Sequence, residues 1–476
     1  MTLYLLDLMT FSLRSSAYLS DLCVLLVHVF QEFPMSDTSV TRRDFVRTTV
    51  AGASALAAMS IGGTNMAFAS SGRSSGAVRI GVIGCGGRGT GAAMNALEAS
   101  PDTKIVALAD LFTDRIGGAR GYLASTDNPW SERVEIPKER VLTGFDSYKE
   151  LLAGEVDMVV LATTPHFRPL HLAEAVRQGK HVFIEKPVGV DAPGIRSVLE
   201  SAKVADEKGL SIVAGTQRRH ETSYREAMKR IKEGSLGRIV AAEAYWNQGG
   251  LWMHPRRPEW SDMEWQIRNW LYFTWLSGDH IVEQHVHNLD VVNWAMSEMT
   301  GETHPASAHA VGGRQVRTDP AYGHIYDHFG VVYEYASGAV CFSMCRQQDG
   351  TTARVDEVIR GTKGTCRLRP GAADFVGASD ADGDSTWRFA GPNNNPYVQE
   401  HVALIEAITT GKRVNEAKQV AESTLTAVMG RMAAYTGKTV TWEQAIGSAL
   451  DLTPPSYEMG PLPTPEVPMP GKTPLV

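Results

Sequence analysis

The feature that most restricts this chain is the stretch "VRIGVIGCGGRGTGAAMNAL", which begins at Val78. Val78 to Ile83 is a short apolar run of the kind buried on both faces of a parallel sheet. Gly84-Cys85-Gly86-Gly87-Arg88-Gly89 follows, and then small residues at helical spacing. Glycines at the first, third and sixth positions let the backbone turn sharply, approach a pyrophosphate and pack the helix against the strand. The helix N-terminus, with its free N–H groups, then suits the anion. Alone the pattern is common. It gains weight from "KIVALAD", a second strand ending at Asp110, about 20 residues on, where an acid can bind ribose hydroxyls and repel a 2′-phosphate. NAD is therefore favoured over NADP, and the alternative is a Rossmann-like domain that has lost its nucleotide.

The alternation continues through "VDMVVLATTP", "FRPLHLAEAVRQG", "HVFIEKP", "DAPGIRSVLESAKVADEKG" and "LSIVAGTQRR". Strands alternating with helices of this length predict an α/β, doubly wound parallel sheet of Rossmann type over residues 78–218. Ligands of such sheets sit beyond the carboxyl ends of the strands. Thr163, Thr164, Pro165, His166, Glu185, Lys186 and Gln217 all fall there. From about Thr222 the pattern changes. Hairpin-like runs such as "HIYDHFGVVYEYASGAVCFSMCRQQ" and amphipathic helices such as "VQEHVALIEAITTGKR" and "VAESTLTAVMGRMAAYTG" predict a second, α+β domain over residues 219–450. Residues 451–476 are proline-rich and should run extended over the surface or against a partner subunit.

Composition excludes some classes. A net charge of −7 over 476 residues does not suit nucleic acid, which needs a basic face. No apolar run in the body of the chain approaches the length of a membrane span. Near the start, "TRRDFVR" (Thr41 to Arg47) precedes a mildly apolar run and "AFA" (Ala67 to Ala69), which together read as a twin-arginine export signal over residues 35–69 and a periplasmic destination. Residues 1–34 are then expected to stem from a start codon assigned too early, or to be a genuine extension. Cysteines number five, and they form no disulfide framework: Cys341 and Cys345 are too far apart along a strand to bridge. A protein that folds before export needs none, and it can leave with its cofactor bound.

The glycine strand, "ATTPHF", "HVFIEKPVGVD" and "GTQRR", taken in this order, resemble the Gfo/Idh/MocA family of nicotinamide-dependent oxidoreductases from about Val78 to about Ser448. The resemblance implies a nicotinamide cofactor; the periplasmic destination, where free NAD is scarce, implies that it stays tightly bound, and Asp110 that it is NAD, with NADP as the lesser option. It implies a second domain built on an open, mostly antiparallel sheet, and a homo-oligomer, dimer or tetramer, formed through that sheet. It also implies that Lys186 contacts the reacting hydroxyl and that Pro187 follows a cis peptide bond. A cation there can polarise a carbonyl or acidify an alcohol.

The stretch "SGDHIVEQHVHNLD" (Ser277 to Asp290) is dense in ionisable groups. On a continuous helix Glu283, His287 and Asp290 would form one stripe. By the resemblance His287 is the catalytic acid/base and Asp290 the trailing acid, while Glu283 departs from the usual aspartate and His285 from a usual small residue. A metal site on His280, Glu283 and His287 competes with this reading, as does a bland polar helix; no metal is expected. Arg219, Tyr245, Asn247, Trp275 and Asp290 are the substrate candidates. The tryptophans of Leu251 to Trp275 suit either a core or stacking on a sugar ring, and Arg256, Arg257 and Arg268 suit either ligand contacts or salt bridges. The expected substrate is a sugar, cyclitol or sugar derivative, oxidised at a ring CH–OH. The alternatives are redox-neutral cleavage through a transient keto-sugar, for which Glu283, Tyr245 or His285 would supply the extra base, and a non-catalytic sugar-binding protein.

Overall fold

The computed structural model of the protein describes residues 76–377 and 386–476. The twin-arginine segment, Cys23 and residues 1–34 lie outside the described residues. Six strands, β1 (Val78–Ile83), β2 (Thr103–Asp110), β3 (Val141–Thr143), β4 (Met158–Leu161), β5 (His181–Ile184) and β6 (Ile212–Ala214), form a sheet in the order β3-β2-β1-β4-β5-β6. Every pairing is parallel. The order reverses between β1 and β4, so the connections diverge there and open a crevice at the carboxyl edge. Helices α1 (Gly87–Ala99), α2 (Thr113–Leu123), α3 (Ser147–Ala153), α4 (Arg168–Arg177) and α5 (Ala192–Lys208) make the crossovers. All four residues of β4 are buried, because helices cover both faces. Local signals set the ends of α5. The Asp191 side chain accepts from Gly194 N at 2.8 Å, Pro193 sits in the first turn, and Gly209 closes the helix at φ 70°.

Two glycines of the first turn are required by the protein itself. Gly84 has φ 97°, and a Cβ on Gly89 would lie 1.7 Å from the Gly84 carbonyl oxygen. Gly86 and Gly87 differ: a Cβ on either meets nothing within 4 Å. The first pair holds the turn against α1, and the second leaves room for a ligand.

The second sheet has β7 (Ile239–Gln248), β8 (Ser307–Gly313), β9 (His328–Glu334), β10 (Val340–Gln347), β11 (Arg354–Gly361), β12 (Gly364–Arg369), β13 (Ala372–Gly377), β14 (Thr386–Arg388) and β15 (Val440–Thr441). They run in the order β14-β13-β12-β11-β7-β10-β9-β8-β15, antiparallel except for the parallel β7–β10 pair. Along β10 the residues Cys341, Ser343, Cys345 and Gln347 are buried, whereas Phe342 and Met344 point outward into the open. Helices α6 (Thr222–Lys232), α7 (Asp262–Arg268), α8 (Thr274–Ser277), α9 (His280–Glu283) and α10 (Val286–Thr300) lie between β6 and β8 in the chain. The chain then returns to the first sheet. Helix α11 (Pro396–Thr410) buries Leu404 and Ile405 in one core with Val160, Phe183 and Val213. Ile212 N donates to Val414 O at 2.8 Å, which extends that sheet's edge. The stretch 219–450 is thus shared between the two sheets. Helix α12 (Ala417–Thr436), expected to be amphipathic, is buried on nearly every side because it is wedged among α5, α10 and β8; α13 (Trp442–Gly447) follows it. The tail is extended as expected and is tied down on this chain: Leu452 N donates to Asp191 and Gly471 N to Thr436 O.

Gly89→Ala should cost about 1–3 kcal/mol or prevent folding, since backbone and not a pliable side chain blocks the methyl. Gly86→Ala should keep wild-type stability to within about 0.5 kcal/mol yet weaken dinucleotide binding. Denaturant midpoints and a dinucleotide titration of the two variants test the contrast.

Candidate active site

The carboxyl edge of the first sheet opens into a cleft of about 550 Å³. Of the residues expected there from sequence, Gly84, Gly86, Gly87, Arg88, Asp110, Thr163 and Thr164 line it. Asp110 is already engaged: its carboxylate accepts from Cys85 N at 2.6 Å and Phe112 N at 2.9 Å, bracing the glycine turn. Burial pushes its carboxyl up, against those two donors. The Cys85 side chain turns inward to the Ala109 carbonyl.

Other expected cofactor residues sit elsewhere. His166 is buried, and its Nε2 lies 2.8 Å from the Tyr457 hydroxyl of the tail, so it serves the packing there. Pro165 begins the short helical turn that carries it. Gln217 reaches the Tyr397 hydroxyl at 3.4 Å. Glu185 is buried in an ion pair with Arg88, and Arg88 lies 3.6 Å from the buried Glu400.

Lys186 follows β5, and the Lys186–Pro187 bond is cis as expected. Arg168, which the sequence reading passed over, is buried and donates to Pro187 O at 2.6 Å, holding this turn. The Lys186 ammonium donates to the backbone carbonyl of Glu283 at 2.5 Å. This contact depends on a break that periodicity did not show. Asp279 has φ 73°, α9 is a single turn ending at Glu283, and α10 starts only at Val286. The expected continuous stripe is therefore interrupted, and the Glu283 carbonyl, lacking a helical N–H four residues on, is free for Lys186. His280 turns to the Phe329 ring, 5.0 Å away, and His285 to the Ser343 hydroxyl at 2.7 Å, both under the sheet and away from Lys186. Among the described residues no three His, Cys, Asp or Glu side chains gather as a metal site.

Burial controls the charges. It lowers the Lys186 ammonium to about 8, opposed by the charges of Glu283 and Glu185. It raises the Glu283 carboxyl to about 7, opposed by Lys186 and Arg317. His287 is held well below its ordinary value by burial first and then by the cations Lys186, Arg218 and Arg88, so its imidazole is neutral at pH 7. Its ring stacks on Trp246, with centroids 5.8 Å apart and planes 25° from parallel. Under Trp246 lies Arg218, wholly buried and paired with Glu357.

Five substrate candidates are corrected. Arg219 and Asp290 are bound to each other, at 2.8 and 3.0 Å, and Asp290 also accepts from Gln419 and Ser423. The pair is a strut between α10 and α12. Tyr245 and Asn247 lie on the outer face of β7, since Ala242, Ala244 and Trp246 take the inner one; Tyr245 bonds Glu243 and carries the Arg354 guanidinium 3.5 Å over its ring. Strand alternation read from the buried alanines would have selected Trp246. Trp275 is buried, donates to Gln266 at 2.8 Å and packs on His166 and Phe167, so its indole is core.

The model of an oxidoreductase family with an NAD-binding Rossmann fold, Gfo/Idh/MocA, matches residues 78–213, and the Gfo/Idh/MocA C-terminal domain matches residues 224–367. Inositol 2-dehydrogenase of Rhizobium meliloti (strain 1021) is 24% identical over 353 residues, covering 71% of this chain and 90% of that protein. The 2,7-anhydro-N-acetylneuraminate hydratase of Escherichia coli (strain K12) is 26% identical over 237 residues, covering 49% of this chain and 57% of that protein, so the chain spans little more than half of that relative's length. The same fold is found in levoglucosan dehydrogenase, solved with NADH and levoglucosan (TM-score 0.59, 18% identity, 76% of this chain and 99% of that one). It recurs in aldose-aldose oxidoreductase from Caulobacter crescentus, solved with glycerol (TM-score 0.58, 19% identity, 77% and 99%). The two family models follow one another along both sheets and together span more than half of the chain, which therefore belongs to the Gfo/Idh/MocA oxidoreductases.

Proposed function

We propose that the protein is an NAD(P)-dependent oxidoreductase acting on a CH–OH group of a sugar, cyclitol or sugar derivative. The observation that carries this is the meeting of Lys186 with Glu283 and His287, a cation, a carboxyl and a neutral imidazole from two sheets, beyond a cleft built for a dinucleotide. The cleft residues fit the cofactor: Gly86 and Gly87 leave open space where a Cβ would stand, at the N-terminus of α1. When bound, the nicotinamide supplies the hydride acceptor or donor. Asp110, at the end of β2, supports NAD over NADP. Relatives named for inositol and anhydro-sugar chemistry support the substrate class.

His287, neutral near pH 7, takes the hydroxyl proton at an imidazole nitrogen as oxidation proceeds and returns it in reduction. Lys186 faces the same oxygen and favours its alkoxide form. Glu283 sets the charge of Lys186. The twin-arginine segment Thr41 to Arg47 and the small-residue site Ala67 to Ala69 support export to the periplasm with cofactor bound, and the exposed Val311, Phe342 and Met344 of the outer sheet face support a homo-oligomer.

A second reading, redox-neutral elimination or hydration through a transient ketone, is favoured by one observation: Glu283 Oε1 has no hydrogen-bond partner among the described residues and could act as a base at the neighbouring carbon. The Escherichia coli relative is named a hydratase. Substrate consumed by holoenzyme with no net change in NADH absorbance would select this reading.

The dinucleotide released on denaturing the purified protein identifies the cofactor, and its absence, with none taken up on titration, refutes the enzyme reading. His287→Ala and Lys186→Ala should each lower kcat/KM by about 10²–10⁴-fold with dinucleotide still bound. Wild-type turnover in either removes that residue from the mechanism. The pH profile of kcat/KM for oxidation should rise through about 7 as Glu283 ionises and fall through about 8 as Lys186 loses its proton, both limbs belonging to the coupled pair. In Glu283→Gln the acid limb should vanish, and the basic limb should move to lower pH because the anion that favours the ammonium is gone. Identical profiles for both proteins would reject the assignment.

A further inference from the structure

The cleft has a second wall that the first sheet does not supply. Trp252, His254, Ile267, Arg268 and Trp270, all from the stretch leading into the catalytic helices, line it opposite the loops that follow β2 and β3. Arg268 crosses to the first sheet's side. Its guanidinium contacts both carboxylate oxygens of Asp114, each at 3.1 Å, and stacks 3.9 Å over the Phe112 ring. Its Nε is held by Glu264 at 2.8 Å. Asp114 sits in the first turn of α2, directly after the β2 end where Asp110 stands. In a sheet of this order that end takes the ribose of the adenosine half.

We infer that the stretch Trp252 to Trp270 is a binding wall for the adenosine half of the dinucleotide, and that the Arg268–Asp114 pair latches it shut. The inference rests on the dinucleotide reading of the cleft. Trp252 and Trp270 offer indole faces on which a purine stacks, and Trp252 is 44% exposed, an unusual state for so large an apolar ring unless something covers it. The wall is braced from outside by the tail: Met263 N donates to Gly460 O at 3.1 Å, Gln266 Nε2 to Leu462 O at 2.6 Å, and Leu462 N to Asp262 at 3.1 Å. Among the described residues the latch is the one ion pair between the wall and the segment after β2. A bidentate arginine–carboxylate pair is geometrically specific, yet with Asp114 half open to water it can still separate. Release of the dinucleotide then requires breaking the latch, which slows exchange without a covalent link.

The test uses the full chain loaded with NADH. Its release into excess NAD is followed by the loss of bound NADH fluorescence for wild type, Asp114→Ala, Arg268→Ala and the double variant. Asp114 is on the surface, so its replacement leaves the fold intact. Both single variants should release NADH on the order of tenfold faster, and the double variant no faster than Arg268→Ala, because Asp114→Ala removes only the pair that Arg268→Ala already lacks. Release from Asp114→Ala at the wild-type rate overturns the latch, whatever Arg268→Ala does. A wild-type protein that takes up no NADH or NAD overturns instead the dinucleotide reading beneath it.

Discussion

Lys186, just after β5, reaches the short helix α9 through one hydrogen bond, from its ammonium to the Glu283 carbonyl. The partner is a backbone oxygen of a one-turn helix, although a carboxylate lies on the same residue. That choice matters. An ammonium bound to a carboxylate would be neutralised and held. Bound to a carbonyl it keeps a full charge and two further protons directed elsewhere. The geometry exists because α9 ends at Glu283, and α9 ends there because Asp279, at positive φ, and Gln284 take the chain out of helical conformation on either side. Asp279 is fixed in turn by the Tyr435 hydroxyl and the Tyr326 amide, at 2.6 and 2.8 Å. A buried acid at the other end of α9 therefore sets where the lysine ends.

The rest of the site follows from the cost of burying charge. Arg168, Arg218, Glu185, Glu283, Glu357 and Glu400 are buried, and the part-buried Arg88 and Lys186 converge with them. Charges in such a place persist only when paired or hydrogen-bonded. Arg218 has Glu357, Arg88 has Glu185, and Arg168 has the Pro187 carbonyl. Glu400 accepts no hydrogen bond among the described residues and is pushed well above the usual carboxylate range by burial and by Glu185, which favours its neutral form. Burial raises Glu357 to about 7 as well, with Arg218 opposing it, and the fixed pairs leave Lys186 and Glu283 to exchange protons near neutrality beside the neutral imidazole of His287.

The parallel sheet and the glycine turn were legible because each follows a local rule, and the lysine turn because its residues match a family motif. A positive-φ glycine, a buried apolar run and a proline after lysine leave marks within a few residues. The errors arose where the deciding contact was distant. Tyr245 and Asn247 were one residue out of phase with the inner face of β7, and in a strand one residue reverses every side chain. Arg219 and Asp290 looked like free ligands because their partners to each other lie 71 residues apart, with Gln419 and Ser423 further still. Residues 396–416 looked like part of the second domain because nothing in a helix pattern says which sheet it will cover. The helix break after Glu283 was hidden because Ile281, Val282, Val286 and Leu289 keep a helical period across it.

Burial is the first cause of the weak basicity of His287, and Lys186, Arg218 and Arg88 add to it; on the proposed mechanism Lys186 also assists the reaction. Lys186 lowers the stability of the imidazolium, which by itself opposes proton uptake. It also stabilises an alkoxide on the reacting carbon. Proton transfer depends on the difference between the two acidities, so one charge acts on both ends of the transfer. Removing that charge makes the imidazole a better base and the alcohol a worse acid. On the proposed mechanism Lys186 faces the alkoxide oxygen itself, and electrostatic stabilisation in a dry site grows as distance falls. Glu283 then controls the extent: ionised, it holds the proton on Lys186, and neutral, it releases that hold. The exchange of aspartate for glutamate at this position lengthens the side chain while its backbone carbonyl, the atom that receives Lys186, is unaffected by which acid stands there.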